Sequence, residues 1–113
     1  MIEVVFSPKA AALTVSGHAP TEPDRDYSLV CAAVTHNLRL FEHAVTSFST
    51  HEALSVKSSV VSRGFAKIEY APSTNYAVNV AFGLILEGFR MLSAAHPEQI
   101  SYKIQEESEV KTK

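Results

Sequence analysis

The sequence predicts a two-layer α+β domain: a mostly antiparallel sheet carrying two helices, in the order ββαββαβ. Short runs that alternate apolar and polar residues occur in pairs joined by tight turns. Two longer stretches read as helices, the first with a repeat of three and four residues, the period of a helix with one buried face, and the second apolar almost all round. Each of these follows a strand pair closely enough to fold back on one side of it. At 113 residues, 46% hydrophobic and 19% charged, the chain can bury one core unaided. That core is expected over residues 1–105, with residues 106–113 a charged, flexible C-terminal tail.

Ile2 to Phe6 and Ala11 to Ser16 are β-rich, and Ser7-Pro8-Lys9-Ala10 turns between them, so they read as a hairpin. Residues 19–27 hold two prolines and four charges with no apolar period, which makes them an exposed loop. From Ser28 to about Ser47, the residues Val30, Val34, Leu38, Phe41, Val45 and Phe48 trace one helical stripe. Ser28 or Asp26 would cap its start, and Thr35, Asn37, Arg39 and Glu42 lie off the stripe. Leu54 and Val56 begin a third strand that runs through Val60-Val61; Ser62-Arg63-Gly64 turns; Ala66, Ile68 and Tyr70 mark a fourth. Pro72 ends that strand, and Ser73 or Thr74 caps a second helix reaching about Ala95. This helix is apolar almost all round, from Tyr76 to Leu92, so part of its surface needs a cover besides the sheet; self-association is one reading and a wide core the other. Pro97 closes it, and Ile100, Tyr102 and Ile104 form the last strand.

The composition narrows the function. A net charge of −2 provides no basic field for nucleic acid. No uninterrupted apolar run reaches the length of a membrane span, about 18 residues, and Met1-Ile2-Glu3 opens no signal peptide. A cytoplasmic protein is expected. The one cysteine excludes an intrachain disulfide and a cysteine-rich metal cage, and neither metal nor cofactor is expected. His36 and His43 share a helix face without a carboxylate at ligand spacing, and His51 and His96 stand at element boundaries.

Chemistry concentrates where His18 leaves the second strand, in Ser16-Gly17-His18-Ala19-Pro20, and where Cys31 enters the first helix, in Leu29-Val30-Cys31-Ala32-Ala33-Val34. With Ser28 as cap, Cys31 is the third helical residue. There, unpaired N–H groups and the helix dipole favour an anion on sulfur and can hold the oxyanion of a tetrahedral intermediate. His18, brought alongside, would take the thiol proton. Gly17 lets the backbone turn out of the strand, and the small Ala32 and Ala33 leave room for a substrate chain. The plain alternative is an inert thiol in a packed core.

Ser-Gly-His-Ala after a hairpin, together with Val-Cys-Ala-Ala-Val-Thr opening a helix, resembles the ribosomal-processing cysteine protease family (Prp). The resemblance spans nearly the whole chain, including the helix near residues 76–95 and the strand after the His-Pro-Glu step. It implies a small homodimeric Cys-His endopeptidase with Cys31 as nucleophile and His18 as base. The implied substrate is a protein, the N-terminal extension of large-subunit ribosomal protein twenty-seven; phage-encoded relatives would trim virion proteins instead. Two features depart from the family pattern. Ser28 stands three residues before the cysteine where the family has aspartate, with Asp26 two residues earlier. The loop holds Pro20 and Pro23 in place of glycine. Asp24 and Asp26 are candidates to orient His18. The competing readings are a non-catalytic, ribosome- or capsid-associated dimeric binding protein, and a redox-sensing thiol that would have to pair between chains.

Overall fold

The computed structural model describes residues 1–17 and 29–105. Its elements are β1 (Ile2–Ser7), β2 (Ala12–Gly17), α1 (Leu29–Thr50), β3 (Val56–Ser62), β4 (Phe65–Tyr70), α2 (Tyr76–Ala95) and β5 (Ile100–Ile104). The order ββαββαβ is as predicted. The strands form one sheet in the spatial order β3-β4-β2-β1-β5. β1–β2, β2–β4 and β3–β4 are antiparallel, whereas β5 lies parallel to β1. A parallel neighbour needs a crossover, and α2 makes it.

Alternation decides which face is buried. Ile2, Val4 and Phe6 of β1, Leu13 and Val15 of β2, Ala66, Ile68 and Tyr70 of β4, and Ile100 of β5 all point toward the helices. They meet Val30, Val34, Leu38, Phe41 and Val45 of α1 and Val78, Phe82, Ile85 and Phe89 of α2. At the centre, Phe82 lies 4.9 Å from Phe41, 4.8 Å from Tyr70 and 5.8 Å from Phe48, centroid to centroid. Burying each such ring contributes about 1.5–3 kcal/mol, and a favourable ring pair adds about 0.5–1.5 kcal/mol.

Several local details differ from the sequence reading. α1 continues to Thr50, whose hydroxyl bonds back to Thr46 O at 2.9 Å. Leu54 is buried but precedes β3, which starts at Val56. α2 is capped by Asn75 rather than Ser73 or Thr74: the extended Asn75 accepts from Val78 N–H at 3.2 Å, while Ser73 Oγ accepts from Asn75 N–H at 3.0 Å. The two side chains act in series, Ser73 shaping the turn that presents Asn75 to the helix. Asn37, off the buried stripe, is partly buried between the helices. Its Nδ2 donates to Ile85 O at 2.8 Å, joining the helices, and a Cβ on Gly88 would come within 2.8 Å of Asn37 Oδ1. Glycine at 88 is what admits this approach.

Phe82 and Phe89 belong to the core, so the surplus apolar face of α2 is the opposite one. There Tyr76 is 83% exposed, Leu84 70% and Met91 59%, with Val80 beside them. α2 also has the length and the mean hydropathy, 1.3, of a helix that can cross a membrane. Its inner stripe is nevertheless committed to the sheet, and its outer face carries the Glu87–Arg90 ion pair. The expected tail, 106–113, lies outside the described residues.

Candidate active site

Register and helix packing bring the candidate residues to one end of the molecule. Ile2 pairs with both Gly17 and Ile100, Ser16 with Phe65, and Phe65 with Ser62. Gly17, the β3–β4 turn and the start of β5 therefore share an end of the sheet. The C-terminus of α2 is tied to the same end: Ile100 N–H donates to His96 O at 2.9 Å and Ile2 N–H to Gln99 O at 2.8 Å. The two helices run antiparallel, since Ala33 and Asn37 of α1 line a groove with Gly88, Leu92 and Ala95 of α2 while Phe41 stacks on Phe82. The N-terminus of α1, with Cys31, consequently lies at the Gly17 end.

Cys31 is half-buried within the first turn of α1 and packs against the edge of the core. No acidic residue occupies that turn. Among the described residues, then, no carboxylate in that turn offsets the partial positive charge of the helix N-terminus. Ala32, next along, is exposed. Helical arithmetic sets the direction of the thiol. Successive residues turn by about 100°, so Ala33 and Asn37 flank the buried stripe on the α2 side and Cys31 flanks it on the other. α2 lies over β5, with Ser93 Oγ donating to Ile100 O at 3.3 Å, and α1 packs toward β3. Cys31 accordingly looks toward the β3 side of the sheet. The inter-helix groove, of about 560 Å³, is on the far flank of α1 and is separate from the thiol.

Gly17 has a defined mechanical role. Its φ is +97°, and a Cβ there would stand 2.2 Å from Met1 O. Its N–H donates to Gly64 O at 3.0 Å. The last residue before His18 is thus held from both sides, by β1 and by the β3–β4 turn. Gly64, itself at φ +80°, was not among the residues expected at the site. The Ser62-Arg63-Gly64 turn between two strands was its available signal, since glycine takes a positive φ at no steric cost.

His18, Asp24, Asp26 and Ser28 lie outside the described residues, as does the rest of the 19–27 loop. Of the expected site residues, Gly17, Cys31 and Ala32 are described, and the fold brings the first two to the same end. His36 and His43 are exposed on α1, and among the described residues no group of three or more His, Cys, Asp or Glu side chains converges on a point.

The fold and site together define a class: a two-layer α+β domain with a thiol in the first turn of its first helix, at the end of the sheet where β2 exits. Solved structures share this architecture over almost their whole length. The essential ribosomal processing protease Prp from S. aureus, in complex with a covalently linked product peptide, superimposes with a TM-score of 0.73 at 15% identity, covering 93% of this chain and 100% of that one. The same S. aureus protein in complex with a substrate peptide gives 0.67 at 12% identity over 93% and 100%. SMU.848 from Streptococcus mutans gives 0.67 at 23% identity over 94% and 96%. The fold is therefore the Prp fold, as the sequence resemblance implied. No family model matches the sequence, and no curated protein does.

Proposed function

We propose that this chain is a cytoplasmic cysteine endopeptidase of the Prp type, acting on an extended N-terminal segment of a large-subunit ribosomal protein. The observation that carries the reading is the half-buried thiol of Cys31 in the first turn of α1, with no carboxylate in that turn. A fold shared with a protease solved with substrate and product peptides supports it.

In the proposed reaction, Cys31 Sγ attacks the scissile carbonyl while His18 takes the thiol proton. Backbone N–H groups of the first helical turn hold the oxyanion. Collapse of the intermediate breaks the C–N bond, and His18 returns the proton to the leaving amine. Water then attacks the thioester, with His18 as base, releasing the carboxylic acid and restoring the thiol. The fixed exit of β2 at Gly17 sets where the His18 backbone begins.

The experiment is incubation with the extended precursor of ribosomal protein twenty-seven, followed by mass analysis. Wild type should release the extension and Cys31→Ala should leave it intact; equal cleavage by Cys31→Ala would remove the assigned nucleophile. Self-association belongs to the same proposal and is supported by the outer face of α2. Leu84→Glu should convert a dimer to a monomer in light scattering, and a monomeric wild type at micromolar concentration would contradict it.

A further inference from the structure

We propose that the free edge of β3 is the strand on which the substrate peptide pairs, extending the sheet and delivering the scissile bond to Cys31; this rests on the reading of Cys31 as a peptide-cleaving nucleophile. Among the described residues, β3 has β4 as its only strand neighbour, so one side of its backbone is open. All of β3 except Val61 is exposed. It ends at Ser62, at the end of the sheet shared with Gly17 and the start of α1, and Cys31 projects from the flank of α1 on the β3 side.

The open groups can be named from the hydrogen-bond register. Gly17 N–H donates to Gly64 O, which makes Ser16 and Phe65 a pair without mutual bonds and directs the bonds of Ala66 toward β2. Phe65, Lys67 and Glu69 therefore bond to β3, through Ser62, Val60 and Ser58. The same assignment follows from the two-residue loop between Ser62 and Phe65. Ser59 and Val61 are left with their N–H and C=O groups directed away from the sheet, two residues apart, as an added strand requires.

This edge lacks the usual protection against pairing. Exposed edges are blunted by charges, prolines or bulges. Here Lys57 and the register shift between Val56 and Ser58 protect the end remote from Cys31. Ser58-Ser59-Val60-Val61-Ser62, which leads toward the thiol, has neither charge nor proline. Five residues span roughly 17 Å at strand spacing, enough to hold about five residues of an extended peptide. Main-chain pairing also suits the proposed substrate class. An extended chain segment presents its main-chain N–H and C=O groups, and an open strand edge pairs with those whatever the side chains.

The test uses a labelled synthetic peptide spanning the cleavage site of the ribosomal-protein extension, together with analogues each carrying one backbone N-methyl group. Binding to the Cys31→Ala protein should fall about tenfold for methyl groups at alternate positions and hold at those between, since each effective one removes a strand hydrogen bond. Loss without alternation, or no loss, overturns the proposal. Ser59→Pro in the otherwise wild-type protein removes an outward N–H without breaking a β3–β4 bond. It should lower kcat/KM on the same peptide about tenfold, with an unchanged melting temperature and unchanged alkylation of Cys31 by iodoacetamide. Full cleavage by folded Ser59→Pro overturns the proposal; if that variant also becomes monomeric, the edge joins two copies of this chain instead. Should Ser59→Pro not fold, the methyl scan decides alone. Alternating binding without cleavage by wild type would keep the edge and remove the nucleophile; cleavage without alternation would do the reverse.

Discussion

Gly17→Ala adds a single carbon at the point where the chain leaves the sheet toward His18. The added Cβ has two separate costs. An L-residue at φ +97° is outside its favoured regions, and holding one there costs about 1–3 kcal/mol. The Cβ also meets Met1 O at 2.2 Å, closer than such atoms approach, and that oxygen is backbone. Met1 is 56% exposed, so it can swing away. Doing so loosens the Ile2–Gly17 end of the β1–β2 ladder, a loss of about 1 kcal/mol per hydrogen bond. Together the loss is about 2–4 kcal/mol, or a fall in melting temperature of about 10–20 °C for a chain of this size. Thermal melts followed by far-ultraviolet circular dichroism measure it. Cleavage should suffer beyond the stability loss at temperatures where both proteins are folded, because the strand end that launches His18 has moved. A melting temperature within about 2 °C of wild type, with full kcat/KM, would refute the proposed role of Gly17 in holding the strand exit.

Gly88→Ala should destabilise by about 1–2 kcal/mol, the crowding of Asn37 outweighing the roughly 1 kcal/mol that alanine contributes to a helix. In an Asn37→Ala background the sign should reverse; urea melts showing stabilisation by Gly88→Ala in wild type would contradict the contact. Burial pushes the Tyr70 hydroxyl up from 10.0 to about 12. The folded chain then keeps a proton that the unfolded chain loses, so stability should fall by about 2–3 kcal/mol as pH rises from about 10 to about 12. Tyr70→Phe should flatten that decline in urea midpoints, and an unaltered slope would show that another group is responsible.

How much of this was legible in the sequence depends on the range of the interaction. The alternation of Ile2, Val4 and Phe6 and the stripe from Val30 to Val45 are local periodicities, and the structure keeps them as read. The cap at Asn75 was missed because Ser73, Thr74 and Asn75 are all capping types in a row, and only the turn geometry chooses among them. Asn37 was legible only as lying off the stripe, because its partner, Ile85 O, is 48 positions away. Gly88, a glycine in the interior of a helix, was the local sign of a close approach. The parallel placement of β5 beside β1 and the edge position of β3 are non-local, since strand order follows from which helices cross over the sheet. For the site, the first-turn position of Cys31 was legible from helix period. The direction of its side chain was not, because it depends on which flank of α1 receives α2.

Alkylation of the native protein by iodoacetamide across pH, with Cys31 followed by mass spectrometry, tests the central claim most directly. An activated thiolate should react fast well below about pH 8, as ordinary thiols do not, and His18→Ala should abolish that low-pH reactivity. A thiol that stays inert until the chain unfolds, with or without the imidazole, would contradict the account.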